Sequence, residues 1–275
     1  MTMISINTNY GGIFAAKASS QSQATVDSAM EKLSTGKRIN FAKDDAAGQA
    51  IATRLNAEID GLSMASRNAA DAQSMLDTAE GAMVETHALL LRMRELAVQS
   101  ANGTLTDNDR VHTDAEFQQL EAEITRISDN TKWAGKGLLD GSASSLVFQI
   151  GEGANQTITV AITDFAATAG AINTHTRTVS TAANAQLAIT ALDAAIGNVS
   201  QQRGNLGAVS NRLTSTMNNL DQININLSAS KGRIEDADFA AETGNLAKGQ
   251  ILQQAATAML AQANASKQQV LTLIR

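Results

Sequence analysis

The sequence predicts a mainly α fold: an elongated, long antiparallel helical coiled-coil bundle with a small central β-hairpin region. Three observations carry that expectation. Two long stretches keep an apolar seam at heptad spacing, one short central stretch switches to period two, and proline is absent from all 275 residues. Each interior proline would cost a helix about 3 kcal/mol, so a proline-free chain suits long unbroken helices. Aromatic residues make up only 3% of a chain that is 43% apolar, so the core must be built by interdigitating Ala, Leu, Ile and Met.

In chain order, the N-terminus places Ile4, Ile6, Tyr10, Ile13 and Phe14 in a run otherwise rich in polar residues. The first long seam follows. Steps of four and three from Ile51 give Leu55, Glu58, Leu62, Ala65, Ala69, Ala72, Leu76, Ala79, Met83, Thr86, Leu90, Met93 and Ala97, and only Glu58 and Thr86 are polar. At 1.5 Å per residue such a helix would be roughly 70 Å long. A shorter helix fits residues 106–129. Thr106 is its N-cap, Asp107 and Asp109 complement the dipole, and Phe117, Leu120, Ile124 and Ile127 share a face. Next, Leu146, Phe148 and Ile150 alternate with smaller or polar neighbours, as do Ile158, Val160 and Ile162. The Gly-containing stretch 151–156 between them makes this a β-hairpin.

Residues 166–183, rich in Ala, Thr, Asn and Ser, read as an outward-facing surface connection. A second seam then runs from Ala188 through Leu192, Ala195, Val199, Leu206, Val209, Leu213, Leu220, Ile223 and Leu227 to Ile234. Two seams of matching length should pack on each other, since neither can bury its stripe alone. At the C-terminus the same spacing gives Leu252, Ala256, Met259, Ala263, Ser266, Val270 and Leu273. Chain ends are usually polar. Apolar ones either dock on the chain's own core or wait for neighbouring subunits, and the pattern alone leaves both open.

The chemistry-bearing residues argue against an enzyme. Without cysteine there are no disulfides, thiolate metal sites or Cys nucleophiles. His87, His112 and His175 are scattered, without ligand spacing. GEGANQ at 151–156 lacks the third glycine and following helix of a phosphate cradle. Asp44 and Asp45 suit a helix N-terminus, and Glu235, Asp236 and Asp238 lack the ligand order of a calcium loop. No catalytic, cofactor-binding or metal residues are assigned. A net charge of −6 argues against nucleic-acid binding, and no apolar run is long enough to span a membrane. MTMISINTNYGG lacks the basic and apolar regions of a cleavable secretory signal.

Four blocks carry a family resemblance. LSTGKRINFAKDDAAGQAIATRL (33–55), RMRELAVQSANGT (92–104), GRIEDADFAAE (232–242) and AKGQILQQAATAMLAQANASKQQVLTLIR (247–275) resemble, in order, the conserved ends of bacterial flagellins. The resemblance implies a subunit of the flagellar filament that polymerises by ordering its terminal helices into a hollow helical tube. It implies inner terminal helices at 1–43 and 235–275, a long-helix bundle at 44–141 and 180–234, and a hairpin and loop region at 142–179. In that arrangement Asp44 and Asp45 cap the long helix. The middle is short, so the large outer variable domains of longer members are missing. WAGKGLLDG (133–141) departs from the family at Trp133 and Ala134.

On the same footing, Ile4, Ile6, Ile13, Leu252, Met259, Leu260, Val270, Leu273 and Ile274 are expected to be buried by neighbouring subunits. Partners implied are further copies of the chain, an export chaperone, the filament cap and junction proteins. A vertebrate innate immune receptor is expected to read Arg92, Leu96 and Glu123. The site would be the extracellular flagellum, reached without a cleaved signal peptide. The rival readings are an intracellular coiled-coil scaffold or signalling rod and a hook–filament junction protein.

Overall fold

The computed structural model describes residues 8–167, 171–174 and 177–273, the last four of them as backbone only. Five helices and two small hairpins follow in the order α1 Tyr10–Thr35, α2 Ala46–Ser100, α3 Asp107–Asn130, β1 Lys132–Trp133, β2 Lys136–Gly137, β3 Leu146–Gln149, β4 Thr157–Val160, α4 Ala182–Glu235 and α5 Phe239–Leu273. The chain forms two compact units. One is Glu58–Ile225; the other joins the chain up to Ala57 with the chain from Asn226. The boundary therefore falls inside α2 and α4.

In the Glu58–Ile225 unit, α2 and α4 run antiparallel, as the matched seams require. Arg94 pairs with Asp193 (2.6 Å), Arg203 with Glu80 (2.8 Å), Ser66 with Asp221 (3.5 Å) and Asn224 with Ser63 (3.0 Å), so one helix ascends as the other descends. Twelve of the fourteen α2 seam positions are buried; Ile51 is exposed and Glu58 is half-buried. The α4 seam is buried or half-buried from Ala188 to Leu220, and Ile223 beyond it is exposed. Burying an aliphatic side chain contributes about 1.5–3 kcal/mol, so the many seam residues make this the stable part of the chain.

Helix α3 closes the bundle. Thr106 and Asp109 form a capping box: the Thr106 hydroxyl oxygen accepts from the Asp109 N–H, and the Asp109 carboxylate accepts from the Thr106 N–H. The Thr106 hydroxyl also donates to that carboxylate and is the main reason its pKa lies below the usual value. Phe117 and Ile124 enter the core, while Leu120 and Ile127 are half-buried beside them. The turn between α2 and α3 is held by Arg110, a buried guanidinium that sequence reading missed. It donates to the Ser100 and Asn102 carbonyls (2.8 and 3.0 Å) and pairs with Asp107. The last carbonyl of α2 thus gains a partner that helical geometry denies it, and the Asn102 carbonyl in the turn gains one too.

The central hairpin forms as the alternation predicts, with Leu146 opposite Val160 and Gln149 opposite Thr157. Leu146, Ile158 and Val160 turn into the core. The smaller β1–β2 hairpin turns through Ala134 (φ 48°) and Gly135 (φ 82°). Two successive residues at positive φ are what a two-residue hairpin needs, and here one of them is an alanine.

Within residues 166–183, the described residues do not form the outward-facing surface connection that the composition suggests. Ala166, Ala167, Ile172, Thr174 and Val179 are all buried. The backbone is tied down by Thr174 N–H to the Ala167 carbonyl, Val179 N–H to the Asp114 carboxylate and Asn198 to the Ala171 carbonyl. Small apolar residues close an end of a core without leaving a periodic signal.

Candidate assembly surface

Helices α1 and α5 pack together as an antiparallel pair in the unit that contains both chain ends. Asn9 donates to Asn264 (3.1 Å), Gln253 to Gln23 (2.5 Å) and Lys32 to Glu242 (3.2 Å), so α5 descends as α1 ascends. The contact line has heptad spacing but is made of small residues. On α1 it runs through Gly12, Ala15, Ser22, Val26 and Ala29, all buried. On α5 it runs through half-buried Leu246, buried Gly249, half-buried Gln253, buried Ala256 and half-buried Leu260 and Ala263. A Cβ on Gly249 would meet Val26 Cγ2 at 2.8 Å, so glycine is what allows this approach.

The C-terminal run at four-and-three spacing is therefore shared between two surfaces: Ala256 and Ala263 lie on the line toward α1, while Leu252 and Met259 are exposed. The large apolar side chains of the pair point away from it: Phe14 is 75% exposed, Met259 62%, Ile13 60% and Leu252 47%. Tyr10, Met30, Phe239 and Ile251 are exposed as well. Phe14, Leu252 and Met259 line an open groove together with Gly11, Ala15 and Ala256. Of the residues expected in subunit contacts, Ile13, Leu252 and Met259 thus lie on this outer surface, and Leu260 is shared with α1. Ile4, Ile6 and Ile274 lie outside the described residues, as do the side chains of Val270 and Leu273.

Two linkers carry the chain into and out of this pair, and they are fastened to each other. Arg38 N–H donates to the Glu235 carbonyl (2.6 Å) and Ala237 N–H to the Gly36 carbonyl (2.9 Å), with a bridge between Lys37 and Asp236. The Arg38 guanidinium donates to the Ile234 carbonyl (2.6 Å). Glu235, buried, pairs with Lys37 (2.5 Å) and Lys231 (3.6 Å). The Lys37 ammonium is the main reason that the Glu235 carboxyl sits below its ordinary value. Asp238 caps α5 through the Ala240 and Ala241 N–H groups. The acidic cluster at 235–238 is thus a latch and a cap, and among the described residues no group of His, Cys, Asp and Glu is arranged to hold a metal ion.

The aspartates before α2 divide their work. Asp45 caps the helix, accepting from Gly48 N–H (2.9 Å). Asp44, expected to share that role, instead accepts from the Phe41 and Asn40 N–H groups (3.0 and 3.2 Å), folding the linker; the Phe41 bond chiefly lowers its pKa.

The expected receptor surface is not assembled as a unit. Leu96 is 1% exposed and belongs to the chain's own core. Arg92 is half-exposed and paired with Glu116 (2.8 Å) and Glu95 (3.0 Å), which raise its pKa, the Glu116 bond most. Glu123 is bound by Arg126, which lowers its carboxyl pKa.

Comparisons with known proteins follow the same lines. Residues 6–144 match the family described as the bacterial flagellin N-terminal helical region, and residues 189–274 match the bacterial flagellin C-terminal helical region. The chain is 47% identical to a flagellin of Halalkalibacterium halodurans, over 90% of this chain and 91% of that one. It is 42% identical to a flagellin of Bacillus subtilis, over 98% and 99%. It is also 38% identical to a flagellar filament 33 kDa core protein of Treponema phagedenis, over 98% and 99%. Among solved structures it is similar to the Bacillus cereus flagellin (TM-score 0.51, 34% identity, 56% of this chain and 88% of that one). A putative flagellar hook-associated protein of Vibrio parahaemolyticus shares the fold at 18% identity (TM-score 0.61, 70% of this chain and 100% of that one).

Proposed function

The chain belongs to the bacterial flagellins, structural subunits of the flagellar filament, and from that premise we propose that it polymerises through the outer surface of the α1–α5 pair. The observation that carries this reading is the inversion of side-chain size across the pair. Small residues make the internal seam, and Phe14, Ile13, Leu252 and Met259 are left to water. A monomer gains nothing from that distribution. A lattice in which neighbours cover these side chains gains about 1.5–3 kcal/mol for each aliphatic one fully buried. That sum must offset roughly 1–2 kcal/mol of backbone entropy for every residue that orders on joining. Multiple neighbours are needed, which suits a head-to-tail helical polymer.

Ile4, Ile6, Val270, Leu273 and Ile274 extend the same apolar character in sequence to both ends, so the surface we propose includes them. Secretion to an extracellular flagellum without a cleaved signal, and contacts with an export chaperone, a filament cap and junction proteins, belong to the same reading and rest on family membership. A receptor surface would rest on Arg92 and Glu123 without Leu96. The relatives are structural proteins, and a structural rather than catalytic role is the reading that follows. Among the described residues no helix is long and apolar enough to cross a membrane.

The test is seeded growth of Ile13→Asp and Leu252→Asp variants, followed by light scattering. Both side chains are exposed, so each monomer should keep its circular dichroism spectrum and melting curve while failing to elongate seeds. Normal elongation by both would remove the outer surface of the pair from the polymer contact.

A further inference from the structure

Among the described methionines, Met75, Met83 and Met93 of α2 are buried and Met217 of α4 is half-buried against the same core, whereas Met30 and Met259 are exposed on the α1–α5 pair and Met64 on α2. The chain contains no cysteine, so methionine is its only oxidisable sulfur. Met259 edges the apolar groove beside Phe14 and Leu252. A thioether is a flexible apolar group, while its sulfoxide is polar and chiral and disrupts an apolar contact.

We propose that Met259, with Met30, is a peroxide-modification site through which oxidation of the free subunit blocks its addition to a polymer. The inference rests on the reading of the pair as the assembly surface. The oxidant is hydrogen peroxide or another hydroperoxide. A sulfur lone pair attacks the distal peroxide oxygen, the O–O bond breaks, and an S–O bond forms. The proton on the attacked oxygen moves to the departing one, which leaves as water from hydrogen peroxide or as an alcohol from an organic hydroperoxide. Sulfur loses two electrons and the peroxide gains them. The fold sets the selectivity, because the seam thioethers are shut away from solvent and the two on the pair are open to it. Oxidation should therefore leave the monomer folded and spoil only the surface that must become dry in a lattice. The same side chains become unreactive once covered, so a finished filament should resist a dose that inactivates its precursors.

The experiment treats full-length monomer and preformed filaments with hydrogen peroxide. Sulfoxide is mapped by peptide mass spectrometry, and the treated monomer is assayed for thermal melting and seeded elongation. Met30 and Met259 should oxidise in the monomer, while Met75, Met83 and Met93 stay reduced. The melting curve should not move, and elongation should fall on the order of tenfold or more, as loss of an apolar contact of this size implies. A double variant, Met30→Leu with Met259→Leu, should keep elongating after the same treatment although Met1, Met3, Met64 and the half-buried Met217 remain. When partly oxidised wild-type protein is seeded and centrifuged, sulfoxide at position 259 should concentrate in the unpolymerised fraction. That partition decides the matter even if the double variant does not assemble.

Equal sulfoxide content in polymer and supernatant, or normal elongation by fully oxidised monomer, would overturn the proposal. Equal inactivation of the leucine variant would do the same. If Ile13→Asp and Leu252→Asp block elongation while oxidation does not, the oxidation inference fails alone. If neither substitution matters, the assembly surface itself is wrong.

Discussion

The bundle of Glu58–Ile225 and the α1–α5 pair use the same heptad spacing for opposite ends. In the bundle, the seam is filled by Leu76, Met83, Leu90, Met93, Leu192 and Leu213, and Phe117 and Phe165 complete a core sealed from water. In the pair, the seam is Gly12, Ala15, Ser22, Gly249 and Ala256, and the bulky side chains lie outside it. The difference teaches that periodicity fixes which residues share a face, while residue size decides whether that face is enough to hold two helices together. The bundle is a finished core, and the pair is a half-built one.

The sharpest way to break this comparison is Leu90→Asp, in the middle of the bundle seam. Leu→Ala at such a site costs about 2–5 kcal/mol, and an unpaired buried carboxylate costs more still. The variant should lose its cooperative thermal transition by circular dichroism; an unchanged curve would mean the seam is not the core.

Gly249→Leu should disturb the other region alone. Even a Cβ at this position is too close to Val26, so the helices must separate. The bundle's melting transition should stay in place while limited proteolysis within residues 10–35 accelerates. Loss of the main transition would show that the pair contributes to the core after all.

A smaller effect is expected from the latch between the linkers. The Glu235 pKa is held below its ordinary value of about 4.5, chiefly by Lys37. A depressed carboxylate contributes stability above its unfolded pKa and loses it as pH falls through the folded one. Protection of residues 36–44 against hydrogen exchange, relative to the unstructured rate at each pH, should therefore fall below about pH 4.5. Glu235→Gln should show the lower protection at neutral pH as well. Protection that does not change with pH in the wild type would separate the latch from the ion pair.

The smallest change is a gain. Gly197 lies inside α4 with nothing close to its missing side chain, so Gly197→Ala should raise bundle stability by about 0.5–1 kcal/mol. A loss of stability on chemical denaturation would reveal a packing constraint at that position.

The bundle was legible in the sequence because its seam residues are large: the steps from Leu55 to Ala97 name buried positions apart from Glu58. Thr106 and Asp109 announced their cap, and the alternation from Leu146 to Ile162 announced the hairpin. In α5 the apolar spacing names Leu252 and Met259, which the structure leaves exposed, but it does not separate them from the face toward α1, which Gly249 and Ala256 mark. Residues 166–183 were misread for a related reason, since Ala166, Ala167 and Ile172 are buried without periodicity. Leu96 was implied as part of a recognition surface by the family resemblance alone, and the helix turns it inward into the chain's own core. Arg110 and the Lys37–Glu235 latch depend on contacts between turns and between distant segments, which no local pattern records.

The antiparallel rungs from Ser63–Asn224 to Arg94–Asp193 make the two long helices a matched ruler. Inserting one residue in either helix would turn everything beyond it by about 100°, sending the seam to the outside. A heptad insertion restores the face only to within about 20°, and still shifts every later rung unless the partner gains a heptad too. Length change in either long helix is therefore quantised and must occur twice to succeed once. The segment between α3 and α4 carries no such obligation. Over evolutionary time, additions and losses should accumulate there, while the lengths of α2 and α4 stay tied to each other.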